Sequence, residues 1–94
     1  MVALAFLLLY HSHAKEDTKS LDERLKKRIK TAIENRLTTA PHQYGEPLRK
    51  TLKGYWKLRV GDYRVVYKIM KNEVWILGIS HRKEVYEKIK KRIG

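Results

Sequence analysis

The stretch Gly54–Ile69, GYWKLRVGDYRVVYKI, most limits what this chain can fold into. Its side chains alternate with a period of two on both sides of Gly61-Asp62, a pair suited to a tight hairpin turn. Two antiparallel strands are expected, Tyr55–Val60 and Tyr63–Met70. Alternation puts Trp56, Leu58 and Val60 on one face, and Tyr55, Lys57 and Arg59 on the other. In the next strand Tyr63, Val65, Tyr67 and Ile69 alternate with Arg64, Val66, Lys68 and Met70. The apolar sets are expected to meet helices, which leaves Lys57, Arg59, Arg64 and Lys68 on the open side. Like charges on neighbouring strands cost stability. Something other than folding therefore explains the cluster. A phosphate backbone would neutralise it, with counterion release as the driving force.

The rest of the chain supplies partners for that hairpin. Residues 2–10 read as a first strand, apolar on both faces and so expected in the interior of the sheet. MVALAFLLLY lacks a basic start and a cleavage site, and falls short of the roughly 20 residues that span a bilayer. HSHAKEDTKS reads as one or two helical turns. Ser20 followed by Glu23 has the spacing of a capping box. Leu21, Leu25, Ile29, Ile33 and Leu37, with Ala32, form one apolar helical stripe. Arg24, Lys26, Lys27, Arg28 and Lys30 fall largely outside it, as a solvated face. TTAPHQYGEPL is a loop, Lys71-Asn72 a turn with Asn72 at positive φ, and Glu73–Ser80 a fourth strand. Residues 82–93 form a last helix, with Val85, Ile89 and Ile93 on one side. The expected order is β-α-α-β-β-β-α. That is one α+β domain over residues 1–94, a mostly antiparallel four-stranded sheet with helices packed on one face. Trp56 and Trp75 could add base stacking, but the core is the expected place for both, the ordinary site of an indole in an apolar-periodic strand.

The charge is unevenly spread. Residues 1–47 carry a net +2 and residues 48–94 a net +10 of the chain's +12. A fold that gathers positive charge in this way meets a polyanion, with a basic surface lacking any dedicated partner as the alternative. There is no cysteine, which excludes disulfides, Cys-ligated zinc and thiol catalysis and suits the cytoplasm. His11 and His13 have a spacing that could bind metal, but with His42 they form no visible constellation.

The hairpin LRVGDYRVVYKI, the following HRKEVY and the order of elements resemble the RelE/ParE toxin superfamily of toxin–antitoxin systems. The resemblance runs over nearly the whole chain, YHSHAKEDTKSLDERLKKRI being similar to the family's first strand end and helical pair. It implies a toxin neutralised by an acidic, RelB-like antitoxin that masks its basic surface, a heterotetramer with that antitoxin being one implied assembly. RelE-like members cut messenger RNA on the translating ribosome without a metal or other cofactor. In that reaction the ribose 2′-hydroxyl attacks the adjacent phosphate and the 5′-oxygen leaves. ParE-like members share the fold, poison DNA gyrase and cut no RNA. A degenerate toxin that only binds its antitoxin is a third reading.

By that resemblance Arg64 matches the arginine that contacts the scissile phosphate, where a planar fork suits non-bridging oxygens. Lys57 matches a basic residue of the preceding strand. A second family lysine falls at Tyr55, where this chain departs from the pattern. Arg82 would be a charge clamp, His81 an acid or base titrating near neutrality, and Tyr86 a substrate-positioning ring. Each has a plainer reading: His81 as a surface cap, Tyr86 as packing for the last helix. Lys53, Tyr55, Arg59 and Lys68 complete the expected RNA-binding set, Tyr55 by stacking a base. Arg59 is the one of these best suited to fold or partner contacts. The expected partners are the antitoxin and messenger RNA in the ribosomal A site, with no membrane.

Overall fold

The hairpin forms as the alternation requires. In the computed structural model, which describes residues 6–93, β3 (Trp56–Val60) pairs with β4 (Tyr63–Met70) across a two-residue turn. Gly61 sits there at φ +61°, where a side chain would be strained. The fourth expected strand is β5 (Glu73–His81), antiparallel to β4. In the turn between them the positive φ belongs to Lys71, at +58°, and not to Asn72.

Among the described residues five strands, not four, make the sheet, in the order β1-β5-β4-β3-β2. The addition is β2 (Glu46–Pro47), a two-residue strand inside the expected loop, paired with Lys57 and Trp56. The first strand, β1 (Leu7–Tyr10), runs parallel to β5; residues 2–5 of its expected span lie outside the described residues. It forms the edge of the sheet, against the interior position expected from its apolar run. Phe6, Leu8 and Tyr10 pack against the larger core, and Leu7, on the opposite face, stays 55% exposed. Among the described residues of the run, only the face of Phe6, Leu8 and Tyr10 is covered by the core.

The helical pair is α1 (Ser12–Lys19) and α2 (Glu23–Ala32), the latter continuing into a π-helical turn, Ile33–Leu37. The expected capping box is replaced by a different cap. Asp22 is the N-cap, its Oδ1 accepting from Leu25 N at 2.8 Å, while Ser20 closes α1 and donates to the Asp17 carbonyl. A carboxylate serves well there, being both acceptor and charge against the helix dipole. A four-residue apolar spacing outruns the 3.6-residue turn by about 40° per step. The widened π turn takes up some of that drift and keeps Ile33 and Leu37 buried. A short α3 (Pro41–Tyr44) and a 3₁₀ turn (Lys50–Leu52) flank β2, and α4 (Val85–Ile93) ends the fold. Among the described residues no helix is long and apolar enough to cross a membrane.

The helices do not share one face. The larger core gathers Ala14, Ile29, Ile33 and Leu37 against Leu58, Val65, Tyr67, Val74, Ile76 and Ile79. A second core, Leu52, Val66, Val85 and Ile89, places α4 across the opposite face. The expectation of helices on one side fails because β4 and β5 carry apolar residues on both faces. A bulge adds to this. Val66 pairs with Gly78 and Tyr67 with Ile76, so Leu77 is an extra residue. Beyond it the alternation is shifted, Ile79 turns into the larger core and Gly78 faces α4.

A Cβ at Gly78 would lie 2.5 Å from Ile89 Cδ1 and 2.8 Å from Arg92 Nη1. Glycine there lets α4 lie close on the sheet. Gly78→Ala is expected to lift α4 and cost about 1–3 kcal/mol, measurable as a lower midpoint in urea.

Candidate functional site

Pairing builds the basic face in rows. Arg59 stands directly opposite Arg64, which stands opposite Ser80; the next row on that face is Lys57, Val66 and Gly78. Lys57 and Arg64 are thus diagonal neighbours, with about 7–8 Å between their positions. The third row holds Lys68 opposite Trp75. Helix α4 lies over the middle row: Ile89 meets Gly78, and the Tyr86 ring sits 5.9 Å from Lys57 Nζ.

Arg64 is held from behind. Its Nη1 donates to the Gly61 and Tyr63 carbonyls at 3.0 and 2.9 Å. Nη1 then has no N–H to spare, while Nε and Nη2 meet no described acceptor and keep three N–H groups for an incoming oxyanion. Arg82 reaches the same turn. Its backbone N–H donates to the Asp62 carbonyl at 2.8 Å, and its Nε lies 4.0 Å from Asp62 Oδ1. Lys57 makes a loose 3.7 Å pair with exposed Glu46. Pairs of this kind at the solvent edge are weak, and polyanion oxygens can replace them.

The other expected residues divide. Tyr55 lies under Lys68, whose Nζ is 5.6 Å from the ring centroid, so both belong to the third row; Lys53 stands exposed on the approach to β3. Tyr86 packs beside the second core, as its plainer reading has it, and its ring also faces Lys57. His81 is not brought to this face. It pairs with Tyr63, and the two rings meet edge-on at 5.6 Å on the side of the larger core. Its Nδ1 accepts from Lys83 N–H at 3.2 Å, a capping role. His11 also caps, its Nδ1 accepting from His13 N–H at the start of α1.

The two tryptophans part company. Trp56 packs with the larger core, stacked on Tyr67, as expected. Trp75 belongs to neither core; it lies half-buried on the basic face, its Nε1 donating to Glu73 Oε1 at 3.1 Å. It stands beside Lys68 and Tyr55, not in the core position expected for it. Strict alternation from Val74 and Ile76 carried the signal, hidden by the apolar residues on either side.

Behind the face, one buried ion pair anchors α4. Arg92 Nη2 and Nη1 grip Asp17 Oδ1 and Oδ2 at 2.8 and 2.9 Å, and Nη1 also donates to the Leu77 carbonyl. Asp17 Oδ2 accepts the Ile79 N–H at 2.8 Å, where β5 has run past the end of β1. Burial pushes the Asp17 carboxyl up. The Arg92 and Ile79 hydrogen bonds and the charges of Arg92 and Lys88 outweigh it and hold the group below the usual carboxylate range. Residues 75 positions apart make this pair, and no local pattern announces it.

A family model described as the ParE toxin of type II toxin–antitoxin systems matches residues 8–86. Toxin RelE of Mycobacterium tuberculosis is 36% identical over 75 residues, 78% of this chain and 77% of that protein. Toxin RelG of the same organism is 28% identical over 87 residues, 90% of this chain and all of that protein. Among solved structures, the toxin–antitoxin complex RelBE2 from Mycobacterium tuberculosis superposes with a TM-score of 0.80 at 28% identity, covering 84% of this chain and 93% of that one. On the family match, the identity to a RelE toxin and the shared fold, this chain belongs to the RelE/ParE superfamily of type II toxin–antitoxin toxins.

Proposed function

We propose that the chain is a ribosome-dependent endoribonuclease that cleaves messenger RNA in the A site. The observation that carries this reading is the Arg64 guanidinium, fixed by two turn carbonyls, with Lys57 on the diagonal. In-line attack of a 2′-hydroxyl builds negative charge on the non-bridging oxygens. Fixed donors aimed at that charge are the largest source of rate. Arg64 and Arg82 supply them from the shared turn. Lys57 and Tyr86 are the groups beside them with protons to exchange, one for the 2′-oxygen and one for the leaving 5′-oxygen. Tyr55, Lys68 and Lys53 hold neighbouring nucleotides by stacking and charge. Toe-printing of a translated message tests the reading: a stop at the A-site codon is expected, and an intact message refutes it. His81 is left out of the machinery, so His81→Gln is expected to cleave within about threefold of the parent rate. A loss of 100-fold or more, the usual scale for a lost general acid or base, would return it to the site.

The family model that matches is that of ParE toxins, which keeps gyrase inhibition as a second reading. It requires blocked supercoiling with messenger RNA left whole.

The partner implied is an antitoxin, since the RelBE2 neighbour is a toxin–antitoxin complex; the basic face calls for an acidic one, and the compartment is the cytoplasm. A groove of about 240 Å³ between α1 and α2 has an apolar floor of Leu21, Ile29, Ile33 and Ile79 and a rim of Lys15, Lys26 and Lys30. That pattern suits an amphipathic acidic helix.

A further inference from the structure

A second strongly basic feature lies away from the rows of the hairpin. Between α2 with its π turn and the end of β3 is an open cleft of about 720 Å³. Arg24, Lys27, Arg28, Arg36 and Arg59 line it, and no carboxylate does. Among the described residues none of the five makes an ion pair. Arg24, Lys27 and Arg28 share one helical face by their three- and four-residue spacing. Arg36 would leave that face in a regular helix, twelve residues on at about 100° each. The π turn advances by less per residue and carries it back toward the cleft. The cations of the helix then extend over about 18 Å, at 1.5 Å per residue.

We propose that this cleft binds the phosphate backbone of an RNA strand, as a site separate from the proposed cleavage face. Four of the five cations are arginines, whose planar forks fit phosphate oxygens. An acidic peptide would need apolar anchors for its affinity, and the cleft offers only Ala32 and Val60. Arg59 joins the two surfaces: it lines the cleft and pairs directly with Arg64. A strand lying in the cleft passes over Arg59 onto the face where its next nucleotides would be cut. The inference takes from the proposed function only the class of polymer.

The test uses the purified chain and a fluorescein-labelled 20-nucleotide RNA carrying 2′-O-methyl groups, which has no free 2′-hydroxyl to attack. Binding is followed by anisotropy against salt for the parent chain and for the triple variant Arg24→Gln, Lys27→Gln, Arg28→Gln. Glutamine keeps helix propensity, and an unchanged thermal midpoint verifies the fold. Three lost phosphate contacts flatten the log–log salt slope by about 2 and weaken binding about 100-fold at 0.1 M salt. Equal affinity and slope in the two proteins would overturn the proposal, as would a parent chain that binds no RNA. A variant that keeps RNA but loses a poly-glutamate peptide would assign the cleft to an acidic protein and overturn it too. Cleavage is read separately by toe-printing. A parent chain that cuts no message but shows the slope difference loses the proposed function and keeps the cleft.

Discussion

Arg64→Ala is expected to slow A-site cleavage by about 100- to 1,000-fold, the usual loss when one fixed donor to a developing oxyanion is removed. Growth arrest on induction should disappear with it. The fold should survive. The side chain is half-buried and gives up two hydrogen bonds to the Gly61 and Tyr63 carbonyls, each worth about 1 kcal/mol net. Water can replace it at both carbonyls, since the turn lies at the surface. Arg64→Lys separates charge from geometry. Lysine keeps the cation but cannot hold two carbonyls while presenting a planar fork, so most of the loss should remain. Rapid quench on programmed ribosomes, with the thermal midpoint of each variant alongside, measures both terms. Arrest by a well-expressed, folded Arg64→Ala protein would remove Arg64 from the site. A variant that arrests growth through gyrase with message intact would favour the ParE-like reading.

What could be read in the sequence follows from which interactions are local. The hairpin was legible because alternation and a Gly-Asp turn act over a few residues, and β4 begins and ends where the pattern does. The basic rows were legible for the same reason, since alternation alone puts Lys57, Arg59, Arg64 and Lys68 on one face. The second core was not. Val66, Leu77 and Gly78 meet α4 on a face that looks open until the bulge at Leu77 is known, and a bulge leaves no mark in a strand apolar on both sides. The bulge also decides that His81 turns toward Tyr63 and the larger core, which its place just past the expected strand does not reveal. The helical stripe was read correctly but its cap was not, because Ser20 and Asp22 are both able to cap and only the chain's path between α1 and α2 selects Asp22. The cations of α2 looked like a solvated face; the π turn and the open end of β3 are what make them the wall of a cleft.

Asp17→Ala is expected to be the most damaging single change to stability, at about 3–5 kcal/mol, the cost of removing one partner of a buried ion pair. Asp17 is 8% exposed and serves two elements at once. Its loss strands the Arg92 guanidinium and leaves the Ile79 N–H without an acceptor. Domains of this size hold about 5–15 kcal/mol in total, so the variant should unfold at a much lower urea concentration. The double change with Arg92→Ala should cost less than the two singles added, because the stranded charge is gone. The pH dependence has a definite sign. The carboxyl titrates lower in the folded chain than in the unfolded one. Its contribution is therefore complete above the ordinary carboxylate range and is lost as the pH falls through that range toward the folded-state value. Asp17→Asn should remove this part of the acid limb, with a stability profile flatter than the parent's below about pH 4. An equally steep acid limb in the variant would assign the acid sensitivity to other carboxylates. The same pair bears on activity, since α4 carries Tyr86 and the Asp17–Arg92 contact fixes its far end to α1 and β5. A chain with α4 loosened no longer holds the Tyr86 ring over Lys57. Cleavage should then fall further than the folded fraction does, whereas a fall that only tracks the folded fraction would make the clamp a matter of stability alone.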